Sequence, residues 1–212
     1  MEEFVNPVKL DHKHLANCVV LPDRYAILNK LPSNAIVAEI GVLAGDFSEF
    51  IIRETNPSQL VLIDTFNIDD WSGNEYKRFY AKNHFDFVNQ RFKNDIDGGK
   101  VVLKRGFSWK MLKEFPDNYF DWIYLDADHK YPGVSKDLSE AIRVVKSSGY
   151  IVLNDYIFYS HQEAFPYGVI HAVNEVCVNH DYEIIYLALH PQMYCDVVIR
   201  QIGCDSIKSK ED

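Results

Sequence analysis

The feature that most constrains this chain is an alternation. Short apolar runs, each about a strand in length, are followed by segments whose apolar residues recur at helical spacing. The strand candidates are "AIVAEIGV" (35–42), "QLVLIDTF" (59–66), "KVVLKRGF" (100–107), "FDWIYLDAD" (120–128) and "YIVLNDYIF" (150–158). Between them, "DFSEFIIRE" puts Phe47, Phe50 and Ile51 on one helical face with Asp46 as the expected cap, and "SWKMLKEF" reads as a short helix opened by Ser108. "GVSKDLSEAIRVVKSSG" aligns Val134, Leu138, Ala141, Ile142 and Val145 ahead of Gly149, and "YGVIHAVNEVCVNH" aligns Val169, Val173 and Val176. Two last strands, "YEIIYLAL" (182–189) and "YCDVVIRQI" (194–202), are joined only by a short link at "HPQM". That is too short for a parallel crossover, so the pair must be antiparallel. The prediction is an α/β fold: a seven-stranded, mostly parallel sheet with helices on both faces and a C-terminal antiparallel hairpin.

At 212 residues and 47% hydrophobic, the chain can bury one large core. The expected division is an N-terminal extension or helix packing on the core over 1–34, one catalytic domain over 35–203, and a disordered polar tail over 204–212. The formal charge is −9 and the basic residues form no run, which disfavours nucleic acid as a partner. The opening "MEEFVNPVKL" carries no signal-peptide pattern, and no window reaches membrane-span length, so a soluble cytoplasmic protein is expected. The four cysteines, Cys18, Cys177, Cys195 and Cys204, are too scattered for a zinc site or a disulfide scaffold.

In open sheets of this kind ligands bind beyond the carboxyl ends of the strands. Glu39, Asp64, Ser108, Asp126, Asp128, His129, Asn154 and Asp155 all fall there. The first strand runs into "EIGVLAGDFS", with Gly41 and Gly45 at the turn into a helix. A dinucleotide turn would need a middle glycine where Leu43 stands, and Asp46 would repel a pyrophosphate at the helix mouth. A ligand with an amino group, a cationic centre and ribose hydroxyls suits Glu39, the loop amides and Asp64 better. S-adenosylmethionine has that composition.

These stretches resemble class I S-adenosylmethionine-dependent methyltransferases: "EIGVLAGDFS" their first motif, "VLIDTF" their second. "DWIYLDADHKYPGVSKDL", "SSGYIVLNDY" and "YGVIHAV" are similar to the methyltransferase domain 24 family, a group related to small-molecule and sugar O-methyltransferases. The resemblance implies a Rossmann-like fold. It also implies S-adenosyl-L-methionine as cofactor, with Glu39, Gly41, Gly45, Asp64, Ser108 and Asp126 around it and Asp64 on the ribose. Its expected acceptor is a small hydroxylated molecule such as a sugar or glycoside.

An aliphatic hydroxyl is too weak an acid to ionise unaided near neutral pH, so a base or a metal must help. His129 and Asp126 are the expected catalytic pair, and the resemblance gives the histidine the role of general base. Asp126 and Asp155 close adjacent strands and form a candidate Mg²⁺ site. Tyr156 stands where catechol-type enzymes carry an asparagine ligand, leaving Asn154 or Asp128 to compensate. His161 is expected in a loop within reach of the acceptor, and His171 on a helix in a structural role. The stretch 67–85, with Trp71, Tyr76, Phe79, Tyr80 and Phe85, reads equally as a substrate lid or as a packed helix. Self-association is left open. The alternatives are a metal-dependent methyltransferase of catechol or aromatic acceptors and a catalytically silent S-adenosylmethionine-binding protein.

Overall fold

The structure, a computed structural model, describes residues 6–68 and 83–204. Seven strands match the expected runs: β2 (Ile36–Ile40), β3 (Gln59–Asp64), β4 (Val101–Arg105), β5 (Phe120–Leu125), β6 (Val145–Leu153), β9 (Tyr182–Ala188) and β10 (Asp196–Gln201). An eighth, β1 (Val19–Leu21), joins the sheet from the N-terminal segment. The order is β1-β9-β10-β6-β5-β2-β3-β4, and a two-stranded hairpin, β7 (Tyr159–Ser160) with β8 (Phe165–Pro166), stands apart. Neighbours from β6 to β4 pair parallel. Strand β10 runs antiparallel to both β9 and β6, while β1 pairs parallel with β9.

Strands buried on both faces must be apolar at every position, which is why the runs are continuous. Val37, Leu60, Leu62, Trp122 and Val152 pack on one face against Ile27 and Leu28 of α1 (Arg24–Leu28), Phe47 and Ile51 of α2 (Asp46–Thr55) and Val88 of α3 (His84–Arg91). A five-residue helix, α4 (Lys93–Asp97), follows α3. Ala38, Ile40, Ile123 and Ile151 pack on the other face against α5 (Ser108–Leu112), α6 (Tyr131–Val144) and α7 (Val169–His180).

Two helix ends differ from expectation. Helix α6 stops at Val144, so Val145 and Gly149 belong to β6 rather than to the helix and its exit. A Cβ on Gly149 would lie 2.5 Å from the Asp121 carbonyl oxygen, so the glycine is required by the neighbouring strand β5. Helix α2 is capped by Gly45, not Asp46, because the turn needs a left-handed residue at 45 (φ 83°) and pushes Asp46 into the first helical turn.

The N-terminal segment is more than a helix on the core. A 3-10 turn (His12–His14), then β1, then α1 capped by the Asp23 side chain on the Ala26 amide (2.9 Å) lead into the domain. Residues 69–82, which hold most of the aromatic stretch, and 205–212, nearly all of the tail, lie outside the described residues. Among those described, no helix is long and apolar enough to cross a membrane.

Candidate active site

The glycine turn after β2 is built by close approach. A Cβ on Gly41 (φ +86°) would sit 1.8 Å from the carbonyl oxygen of Asp126, so the ends of β2 and β5 meet only because that side chain is missing. Leu43 takes the position of the absent middle glycine at φ 49°, a conformation that costs a non-glycine residue energy. Its neighbours hold it there. Asp64 Oδ2 accepts the Val42 and Leu43 amides at 2.8 and 3.3 Å, and His84 Nε2 lies 2.6 Å from the Leu43 carbonyl oxygen. Arg91 donates to the Ala44 carbonyl at 2.7 Å and pairs with Asp46 and Glu49 at 2.6 and 2.8 Å. The acidic helix mouth thus faces a guanidinium.

Asp64 closes β3 as expected, and its other oxygen accepts the Phe66 amide at 2.8 Å. A carboxylate offers about four acceptor sites, and the fourth takes only the Thr65 hydroxyl at 3.4 Å, a long bond that a ribose hydroxyl would displace. Glu39 is only 2% exposed and lies under the turn, where the Ser48 hydroxyl donates to it. Burial pushes its carboxyl up to about 8 against the Ser48 bond, with Asp126 adding to the rise. Burial thus favours its neutral form. Ser108 opens α5 but does not cap it, since the N-cap is Phe107. Its hydroxyl donates instead to Asp137 on α6, a carboxyl that burial lifts to about 6. The Asp64 acceptor, a tied amide turn and, among the described residues, no cluster of basic side chains on it fit a phosphate-free ligand with amino and hydroxyl donors.

The chemistry-bearing side chains converge where β5 and β6 end and β10 begins. His129 Nε2 stands 3.5 Å from Asp126 Oδ1 and 3.7 Å from Asp155 Oδ2, shielded from solvent and without a hydrogen-bond partner among the described residues. Its ring stacks on Tyr167 at 4.5 Å and 5°. Burial would lower the imidazole's pKa, but the carboxylates of Asp126, Asp155 and Glu163 outweigh it and hold the ring above the usual histidine range. Asp155, at φ 57°, is raised to about 6 by burial, with His129 opposing and Asp126 reinforcing. Arg24 reaches in from α1, its Nη1 3.9 Å from Asp126 Oδ2. Behind them Asp196 accepts the Tyr124 hydroxyl at 2.6 Å and the Asn154 amide at 3.1 Å, and burial lifts it to about 7. A cavity of about 540 Å³ opens beside this group, lined by Asp23, Arg24, His129, Asp155, Glu163 and Asp196 among others.

The Mg²⁺ expectation meets a different arrangement. Asp126 already faces the His129 ring on one oxygen and the Arg24 guanidinium on the other. Of the suggested compensating ligands, Asn154 ties its amide nitrogen to Asp196, and Asp128 accepts the Lys130 amide at 2.9 Å. Tyr156 turns to Asn174 at 2.6 Å. Among the described residues no three metal-binding side chains stand close enough to share an ion. As arranged, the set does not fit a resident Mg²⁺.

His161 is exposed after β7 and lines a neighbouring apolar groove with Met193 and Tyr194, not the His129 cavity. His171, on α7, packs edge-on to Phe158 and Tyr131. The spacing missed Arg24, Asp196, Glu163 and Tyr167. Arg24 and Asp196 gave one usable signal, a charge beside an apolar run at the start of a helix or strand. Glu163 lies in the β7–β8 turn, where no periodicity points, and Tyr167 opens the "YGVIHAV" run, where only the helical face was read.

The family profile for methyltransferase domain 24, described as a methyltransferase domain, matches residues 38–156. No curated protein matches the sequence significantly. Among solved structures, an S-adenosylmethionine-dependent methyltransferase from Aquifex aeolicus aligns with a TM-score of 0.58 at 17% identity, covering 89% of this chain and 93% of that one. A candidate O-methyltransferase from Klebsiella pneumoniae gives 0.60 at 18%, covering 84% and 77%. A ribosomal protein L11 methylase from Lactobacillus delbrueckii gives 0.53 at 10%, covering 84% and 76%. At these identities the likeness is one of fold.

Proposed function

The chain belongs to the methyltransferase domain 24 family, and from that premise we propose that it methylates a hydroxyl of a small polar acceptor, sugar-like in its hydroxyl content. S-adenosylmethionine supplies an electrophilic methyl carbon on a sulfonium. The acceptor oxygen forms the new C–O bond as the C–S bond breaks, and the hydroxyl proton must leave at the same time. The observation that carries this reading is the His129 ring nitrogen, buried without a hydrogen-bond partner between Asp126 and Asp155. A hydroxyl entering between the carboxylates supplies the missing bond. His129 takes the proton, Asp126 and Asp155 stabilise the imidazolium, and Tyr167 fixes the plane of the ring.

Acceptors bearing phosphate are disfavoured, since Asp23, Asp155, Glu163 and Asp196 line the cavity and the chain carries −9 overall. Metal-dependent catechol chemistry is disfavoured because Asp128 and Tyr156 are bonded elsewhere and Arg24 already faces Asp126.

The test is calorimetric titration with S-adenosylhomocysteine and with NAD, followed by a screen of sugars and glycosides with labelled cofactor, with and without EDTA. Micromolar binding of the first ligand alone, and EDTA-insensitive methylation of a hydroxyl, are expected. Transfer to nitrogen or to a nucleic acid would overturn the acceptor assignment, and loss of activity in EDTA would restore the metal.

A further inference from the structure

Arg24 lies ahead of the family match, on a segment that neither the family's profile nor the sequence motifs include. Its position follows from three constraints. Strand β1 pairs with β9 at the sheet edge, Asp23 caps α1, and Arg24 is the first residue of that helix. Its guanidinium then lies 4.5 Å over the Phe47 ring, a cation–π contact. The side chain is two-thirds buried, at 33% exposure, and lines the cavity beside His129 and Asp155.

A guanidinium carries five N–H donors. Here its partner among the described residues is Asp126 Oδ2 at 3.9 Å, an ion pair too long for a hydrogen bond. A charge held this firmly by an aromatic ring, facing carboxylates and a cavity, with its donors unspent, is arranged to receive an anionic oxygen. The same carboxylates were expected to hold a divalent ion. A cation stands beside them already, supplied by the chain.

We propose that Arg24 is the resident cation of the site. It balances the Asp126 carboxylate and donates to the acceptor oxygen as that oxygen gains charge, the work a divalent ion does in carboxylate-lined transfer sites. This rests on the hydroxyl-methylation reading above. It makes the N-terminal segment part of the working site rather than an accessory.

The experiment compares the wild type with Arg24→Gln, which keeps the stem and removes the charge, and with Arg24→Lys. Mn²⁺ titration followed by electron paramagnetic resonance needs no acceptor and no turnover. The wild type and Arg24→Lys should bind no Mn²⁺ up to millimolar concentration, whereas Arg24→Gln should gain a site that is lost again with Asp126→Asn. With an acceptor in hand, Arg24→Gln should lower kcat by roughly 10²–10³ with S-adenosylhomocysteine affinity unchanged, and guanidinium ion should restore part of it. Mn²⁺ binding by the wild type as tight as by Arg24→Gln overturns the proposal, as does no gain of binding in a folded Arg24→Gln. If no methyl transfer is found at all, the functional reading fails, while the metal titration still decides whether Arg24 holds the cation's place.

Discussion

At the residue scale, the site turns on which protons are held and where. His129 faces Asp126 from the end of β5, Asp155 from the end of β6, Glu163 from the β7–β8 turn and the Tyr167 ring, with Arg24 beyond Asp126. The carboxylates hold its proton past the usual histidine range, so the base form appears only as pH rises through that elevated value. Turnover should therefore climb with pH and level off on the alkaline side. His129→Gln should abolish the climb and cut kcat by roughly 10²–10⁴ while leaving S-adenosylhomocysteine affinity intact. An unaltered pH profile in the variant would remove His129 from the role. This scale was the least legible in the sequence. The strand-end positions of Glu39, Asp64, Ser108, Asp126, His129 and Asp155 could be read from the motifs. Spacing could not say that Glu39 turns under the loop to Ser48, or that Ser108 spends its hydroxyl on Asp137. Side-chain direction is set by tertiary neighbours.

At the element scale, the turn between β2 and α2 is where the fold tolerates least. Gly41→Ala would drive a methyl group into the Asp126 backbone at a positive φ. A loss of at least about 3 kcal/mol is expected, from overpacking and strain together. It should be seen as a fall in Tm or as a failure to express soluble protein. A variant melting with the wild type would mean that β2 and β5 can part without penalty. The doubly buried strands were legible because burial on both faces leaves unbroken apolar runs such as Leu60–Ile63 and Ile151–Leu153. Strand β1 was not, because three residues carry no period and its Val19 and Val20 are exposed. The start of β6 was hidden by "KSSG", a polar stretch that reads as a helix exit and that bulges between the Phe120–Val145 and Trp122–Tyr150 pairings with β5.

At the scale of the whole molecule, the buried acids set the response to pH. Glu39 is lifted to about 8, Asp196 to about 7, and Asp137 and Asp155 to about 6, with burial the leading cause in each. A carboxyl whose folded pKa exceeds its unfolded value binds its proton more tightly when folded. Stability is then undiminished below the unfolded pKa near 4 and falls as pH rises towards the folded value. His129, also raised, acts in the same direction. The ligand-free protein should be most stable in mild acid and lose Tm steadily between about pH 5 and 8. Glu39→Gln should recover roughly 2–4 kcal/mol at pH 9, read as a flatter profile of Tm against pH. A wild-type optimum near pH 8 would contradict the buried-acid account.

The pairing of Val19 with Tyr186 has a consequence in time as well as space. Arg24 precedes the sheet's central strands in the chain, yet β9, the strand that anchors its segment, follows them all. The nascent chain can lay down β2 to β6 long before β1 has anything to pair with, and closing so long a loop is among the slowest steps a chain takes. The sheet's centre matures early and the guanidinium docks late, so a newly made molecule can hold the cofactor turn before it holds a finished site.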